Sequence, residues 1–137
     1  MNVGQTSRPR RSFPAQASAP RAARAFVAER LSAEGATPTV VDDFTLAVSE
    51  VVTNAVTHGD DFEVIVVVDT SDAQWWHIEV VNGSPLPAHL QDAANWKVAP
   101  APAPSGRGLG IVRTLMDEVA VLDAGRGLAL RRRRQSA

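Results

Sequence analysis

The chain has 137 residues, enough for one domain with its own core, and 45% of them are hydrophobic, which argues against wholesale disorder. It has no cysteine, which excludes disulfides and thiolate metal sites, and its net charge of -1 gives no global field that would point to nucleic acid. No apolar run reaches the roughly 18 residues of a membrane span, and no apolar segment follows the N-terminal arginines, so we expect a cytoplasmic protein.

The first part of the chain predicts a tail, an edge strand and a helix. Residues 1–11 are polar and basic without periodicity and are expected to form a flexible tail, with residues 12–134 forming the domain. Ser12–Pro14 predicts the start of a short edge strand, where proline is tolerated. Ala17–Ala33 is apolar on one side and charged on the other, which predicts a helix, and Gly35 is a plausible stop signal.

A second helix, around which the chain is organised, is predicted to begin after Pro38 and to end at Gly59. Most of its surface is apolar, but Glu50, Asn54 and His58 lie at i, i+4 and i+8 and point the same way from successive turns. An amide oxygen can ligate Mg²⁺, and a carboxylate can take a proton from a hydroxyl or a water. A solvated helix face would show the same stripe.

Two pairs of β-rich runs predict antiparallel hairpins. Phe62–Asp69 and Trp75–Val81 are separated by a polar turn, and the first run is apolar at nearly every residue, which suits a central strand with more than one face covered. Residues 119–122 and 128–130 predict the second hairpin. Because Trp75 and Trp76 are adjacent, they are expected to point to opposite faces of the sheet.

The segment between the hairpins ends in alternating glycines. Pro87–Lys97 predicts a short helical piece, and residues 98–105 alternate proline with small residues, which predicts an extended, mobile stretch. Gly106-Arg107-Gly108-Leu109-Gly110 then opens a third helix, predicted over Leu109–Glu118. Such glycines expose backbone N–H groups that favour a bound phosphate, although a flexible hinge has the same composition. The loop matches neither a dinucleotide fingerprint nor a Walker motif.

Charged residues elsewhere have simpler interpretations. Asp42 and Asp43 are expected to favour the N-terminal turn of the second helix by charge. Arg131–Arg134 can contact phosphates, which raises nucleic-acid binding as a hypothesis, but the run has no interleaved aromatic residue and the net charge is slightly negative. A solvated terminus is the favoured interpretation of this run.

The order of elements predicts the fold class. Two helices, two strands, a mobile segment, a helix and two strands indicate an α+β two-layer sandwich. In it, a mostly antiparallel mixed sheet is covered on one face by about three helices.

Three separated pieces of the chain resemble one family, the GHKL ATPase superfamily. Within it they resemble the small bacterial anti-sigma-factor serine/threonine kinases, which have the histidine-kinase-like ATPase, or Bergerat-type, fold. Residues 50–59, Glu-Val-Val-Thr-Asn-Ala-Val-Thr-His-Gly, look like the N box of the family. Residues 80–85 occupy the place of its first glycine box, and residues 106–111 look like its second. The resemblance covers residues 12 to about 130.

The resemblance implies a role for each matching residue. Asn54 would ligate a Mg²⁺ that bridges the phosphates of ATP, and Glu50 would be the general base for a serine or threonine of a partner protein. Asn82 and Gly83 would bind the nucleotide base, and residues 87–105 would be the ATP lid. The phosphates would be held by the second glycine box, namely Gly106, Arg107, Gly108, Leu109 and Gly110.

Two positions depart from the pattern of the family. Asn82 stands where an aspartate usually accepts a hydrogen bond from the adenine amino group, and the loss of charge assistance predicts weaker nucleotide binding. Many relatives also carry a threonine entering the last strand, whereas Gly127–Leu130 offers no hydroxyl.

Two functions therefore stay open. The first is a kinase-type switch that binds ATP and Mg²⁺, sequesters a sigma factor or similar regulator and phosphorylates an antagonist protein, with a homodimer as a further possibility. The second is a docking module of the same fold that works by protein–protein binding alone.

Overall fold

The structure is a computed structural model that describes residues 8–58, 63–82, 107–122 and 126–134. These residues form three helices and five strands. In chain order they are β1 (Arg10–Pro14), α1 (Ala19–Ala33), α2 (Pro38–His58), β2 (Glu63–Asp69), β3 (Trp75–Val81), α3 (Arg107–Leu115), β4 (Glu118–Leu122) and β5 (Gly127–Arg133). No helix within the described ranges is long and apolar enough to cross a membrane.

Local sequence signals end α1 and begin α2. Gly35 has a φ of 89°, a left-handed conformation that glycine adopts without strain. Its N–H donates to the Ser32 carbonyl, and the N–H of Ala36 donates to the Leu31 carbonyl, which completes a Schellman motif. At the start of α2, the Thr37 hydroxyl accepts a hydrogen bond from the Val40 N–H at 3.3 Å, and Pro38 fits the first helical position.

The five described strands form one antiparallel sheet in the order β1-β2-β3-β5-β4. β5 lies between β3 and β4, so the second hairpin docks on the first through β3 and β5. In this register Val80 pairs with both Val66 and Leu128, and Leu128 also pairs with Val121.

The helices cover one face of the sheet. Because side chains alternate along a strand, one face of β2, β3 and β5 carries fully or nearly fully buried residues. These residues pack in one core with α1, α2 and α3. β2, β3 and β5 contribute Val64, Val66, Val68, Trp76, Ile78, Val80, Leu128 and Leu130. The other face carries half-buried residues such as Ile65, Val67 and Trp75.

This architecture confirms the predicted α+β two-layer sandwich with helices on one face. Both hairpins, both tryptophan orientations and the limits of α2 are confirmed. β2 is central as predicted, but of its two faces only the helix-facing one is buried. β1 begins at Arg10, two residues before the predicted start.

Two predictions about helices were wrong. α3 spans Arg107–Leu115 instead of Leu109–Glu118. It ends early because the N–H of Asp117 donates to the Arg131 carbonyl at 2.9 Å, which starts the pairing of β4 with β5. In addition, α2 has no acidic residue in its first turn, since it begins at Pro38. Asp42 and Asp43 therefore lie beyond the turn that they were expected to stabilise.

Candidate functional site

The polar stripe predicted on α2 lies at the edge of the core. Glu50 and Asn54 are half-buried, while Val51, Val52 and Ala55, which follow each of them on the helix, are buried. Their apolar neighbours fix the rotation of α2, so the carboxylate and the amide project from the same side one turn apart. His58 is the last residue of α2, but its side chain lies outside the described part of the chain.

Glu50 lies against the first turn of α3. A β-carbon built on Gly108 would be 2.7 Å from Glu50 Oε2, 3.5 Å from Glu50 Cβ and 3.6 Å from Glu50 Cδ. A real β-carbon does not approach an oxygen so closely, so this carboxylate occupies space that only a glycine leaves. The structure thus brings together residues that are 58 positions apart in the sequence, one from the N box and one from the second glycine box.

Two glycines of the second box, Gly108 and Gly110, lie inside α3 rather than before it. Gly108 and Gly110 belong to its first turn, where backbone N–H groups have no partner within the helix. Leu109 and Val112 anchor α3 in the core, at 3% and 0% exposure, so the N-terminal turn is held beside α2. Gly106 and the side chain of Arg107 lie outside the described residues.

Asn82 follows the last residue of β3. Its backbone N–H donates to the Arg126 carbonyl at 2.8 Å, which ties the end of β3 to the turn that precedes β5. Asn82 is half-buried, and Gly83 lies outside the described residues. The structure therefore describes the first glycine box as far as Asn82, and its remaining residues, 83–85, lie outside the described part of the chain.

The donor set suits Mg²⁺ bound together with phosphates. Among the described residues, neither the Glu50 carboxylate nor the Asn54 amide is engaged in a hydrogen bond or an ion pair, and no group of three or more His, Cys, Asp or Glu side chains is placed to hold a metal. Mg²⁺ usually takes one or two protein oxygens and completes its shell with substrate phosphates and water. Asn54 fits that limited role.

A family model described as a histidine kinase-like ATPase domain matches residues 13–133. The chain belongs to this family. The match includes both motifs of the site, since Glu50 and Gly108 both lie inside it.

A solved structure has the same fold as this histidine kinase-like ATPase domain. It is the crystal structure of the RsbU and RsbW domains of Rv1364c from Mycobacterium tuberculosis, with a TM-score of 0.64 and 22% sequence identity. The alignment covers 94% of the present chain and 34% of the other, so the present chain spans about a third of that protein. The curated protein sequences give no match.

The arginine run of this ATPase domain is part of the sheet, so the expected solvated terminus was wrong. Arg131, Arg132 and Arg133 lie in β5, and all four arginines have partners within the chain. The guanidinium groups of Arg131 and Arg133 lie 4.4 and 4.5 Å from the centroid of the Trp75 ring, and that of Arg134 lies 3.9 Å from the Trp76 ring. Period-two alternation, continued through Leu128 and Leu130, would have placed Arg132 on the helix face.

Arg132 binds Asp43, one of the two aspartates that the charge argument had assigned to the start of α2. It pairs with Asp43 of α2, donates to the Leu115 carbonyl at 3.1 Å and lies 3.6 Å from Asp117 Oδ2. It therefore fastens the end of α3 to α2 on the side of the molecule where β5 ends. No spacing rule links Asp43 to Arg132, because they are 89 residues apart.

A second polar cluster lies on the opposite face of the sheet. Burial raises the pKa of the Asp69 carboxyl, but hydrogen bonds from the Ser71 hydroxyl and N–H, with the charges of Arg8 and His77, bring that pKa below its ordinary value. His77 Nε2 in turn lies 2.8 Å from Glu79 Oε2. This cluster is on the face away from the helices, so it is separate from the Glu50 stripe.

Proposed function

We propose that this domain binds ATP with Mg²⁺, docks a regulator such as a sigma factor, and transfers the γ-phosphoryl group to a serine or threonine of an antagonist protein. The observation that carries the proposal is the contact of the Glu50 carboxylate with Gly108. It joins a candidate base to a helical turn whose backbone N–H groups have no partner within the helix. A base and phosphate-binding N–H groups are two parts that phosphoryl transfer from ATP needs. A cytoplasmic location and a homodimer belong to the same proposal.

Each site residue has its own role in the proposed phosphoryl transfer. Glu50 accepts the proton of the attacking hydroxyl, whose oxygen forms a bond to the γ-phosphorus as the bond to the β-phosphate oxygen breaks and ADP leaves. The backbone N–H groups of Gly108, Leu109 and Gly110 hold phosphate oxygens at the N-terminus of α3. Asn54 would supply an oxygen ligand for Mg²⁺, which when bound would offset charge on the phosphates. Gly83, Gly106 and Arg107 would complete the nucleotide site, with residues 87–105 as the lid.

Asn82 sets the expected affinity. An amide oxygen accepts a hydrogen bond from the adenine amino group without the charge assistance of a carboxylate. Hydrogen bonds to charged groups are worth about 1.5–3 kcal/mol against about 1 kcal/mol for neutral ones. We therefore expect ATP binding to be several-fold to tens-fold weaker than with aspartate at this position.

A docking module without catalysis is the second candidate, and two observations favour it. Asn82 lacks the charge just described. In β5, Leu128 and Leu130 are buried at 5% and 0% exposure on the helix face, where a hydroxyl is absent. In that case the domain would act by binding its protein partner alone.

Calorimetric titration with ATP and Mg²⁺ separates the two candidates. We expect the wild type to bind, Asn54→Ala to lose the Mg²⁺-dependent part of the affinity, and Asn82→Asp to bind more tightly. Thr39→Ala is the matched control, since Thr39 is exposed on the same helix about 22 Å from Asn54, at 1.5 Å per residue. Phosphoryl transfer is then followed with γ-labelled ATP and candidate antagonist proteins, with Glu50→Gln as the inactive variant.

The outcomes are distinct. Binding by the wild type with transfer that depends on Glu50 supports the kinase. No binding by the wild type, with binding restored in Asn82→Asp, supports the docking module. Equal transfer by the wild type and Glu50→Gln would overturn the role given to the carboxylate.

A further inference from the structure

We infer that Gly108 is a positioning residue for Glu50: its missing side chain sets where the carboxylate of the base lies. This inference rests on the proposed function and adds a role to a glycine whose expected task is to expose its N–H. The two roles have different physical signatures. A phosphate-binding N–H is kept when glycine is replaced by alanine, whereas the space taken by the Glu50 carboxylate is not.

The distances around Gly108 identify the group that an added methyl group would displace. The added methyl group of Gly108→Ala would meet Glu50 Oε2 at 2.7 Å but Glu50 Cβ and Cδ at 3.5 and 3.6 Å, which are ordinary contacts. The carboxylate is the free end of a flexible side chain, and the described residues offer it no hydrogen bond that would hold it in place. The backbone of α3 is fixed, since Leu109 and Val112 are buried. The clash is therefore relieved by rotation of the carboxylate, not by displacement of the helix.

Gly108→Ala is expected to displace the base without disturbing the fold. The fold should tolerate Gly108→Ala, because alanine is favoured over glycine within a helix and the displaced group is at the edge of the core. The base, however, would leave the position from which it reaches the attacking oxygen. A misplacement of about 1 Å can cost about 100-fold in rate. Through Gly108, the packing of α3 therefore determines where the Glu50 side chain on α2 lies.

The test compares wild type with Gly108→Ala in ATP binding and in release of inorganic phosphate from ATP with Mg²⁺. We expect unchanged affinity for ATP, a melting temperature no lower than that of the wild type and a turnover reduced by about 100-fold. Thr114→Ala is the control on α3, because Thr114 is an exposed residue whose hydroxyl donates a hydrogen bond to the Gly110 carbonyl, at 2.9 Å, within its own helix. A loss confined to affinity would instead assign Gly108 to phosphate contact alone and overturn the inference.

A double-mutant cycle with Glu50→Asp makes the test specific. The aspartate side chain is shorter than that of glutamate by one carbon–carbon bond, about 1.5 Å. Its carboxylate would therefore not meet the methyl group that Gly108→Ala adds. We expect the double variant to turn over as slowly as Glu50→Asp and no slower. If the two losses multiply, Gly108 and Glu50 act independently and the inference is wrong.

An NMR measurement that does not depend on turnover tests this inference separately from the proposed function. The carboxyl ¹³C resonance of Glu50, assigned by its loss in Glu50→Gln, should shift in Gly108→Ala, while that of the exposed Glu29 on α1 should not. If the wild type neither binds nor hydrolyses ATP, the proposed function fails, but this shift still decides whether Gly108 positions Glu50. An unmoved Glu50 resonance overturns the inference in either case.

Discussion

Arg132 connects three parts of the chain through one guanidinium group. Its partners are Asp43 on α2, the carbonyl of Leu115 at the end of α3, and Asp117 before β4. The side chains of Arg132 and Asp43 are 19% and 26% exposed, so the pair is only partly solvated. Loss of one partner leaves the other charge without compensation, which costs more than the pair itself contributes.

We therefore expect Arg132→Ala to lower the free energy of unfolding by about 2 kcal/mol, a value reduced from that of a fully buried pair because both groups reach solvent. The measurement is denaturant unfolding. Arg133→Ala is the control, since Arg133 is exposed and its side chain stacks on Trp75, so its loss should cost under about 1 kcal/mol. Equal losses in the two variants would show that the ion pair adds nothing specific.

Asp69 gives a pH dependence with a definite sign. Its pKa is lowered in the folded protein, so its ionised form stabilises the fold at pH values above the ordinary value of 3.8, and this contribution is lost as the pH falls further. Melting temperatures of wild type and Asp69→Asn should differ by a constant amount at neutral pH and converge below 3.8. Glu29→Gln, which removes an exposed carboxylate on α1, is the control for the loss of one negative charge.

At the scale of elements, the end of α1 depends on backbone conformation alone. Gly35 has a φ of 89°, and a β-carbon there would meet no atom within 4 Å. Gly35→Ala should therefore cost about 1 kcal/mol in the free energy of unfolding through strain, whereas Gly35→Asn should cost less, because asparagine tolerates the left-handed region. Chemical denaturation of both variants checks this, and equal costs would contradict a conformational origin.

The elements that sequence patterns predicted well are those with strong local signals. α2 and both hairpins were predicted from apolar periodicity, and the end of α1 was predicted from Gly35. The start of α3 at Arg107 was missed because Gly108 and Gly110 weaken the helical pattern, and their helical conformation is decided by the packing of Leu109 against the core. Periodicity likewise predicted the direction of the Glu50 stripe, but the contact with Gly108 depends on how two helices pack, which no local spacing encodes.

At the scale of the whole molecule, the two faces of the sheet differ in burial. Val66 faces the helices and is 0% exposed, whereas Val67 lies half-buried on the opposite face. Val66→Ala should cost about 2 kcal/mol from the lost methyl groups and the cavity left behind, and Val67→Ala under about 1 kcal/mol. Thermal or denaturant unfolding of this adjacent pair tests the layer arrangement directly. Equal costs would indicate that the second face is also covered in solution.

The place of β5 has a consequence for synthesis. β5 is the last described strand along the chain, yet it lies between β3 and β4. A nascent chain that has emerged from the ribosome only as far as Leu122 would present the unpaired edge of β3, where Ile78 and Val80 lack their later partners Leu130 and Leu128. Such an edge is a template for intermolecular pairing. Molecular chaperones that bind extended apolar segments should therefore engage this chain until β5 has been made, and release it as the strand inserts.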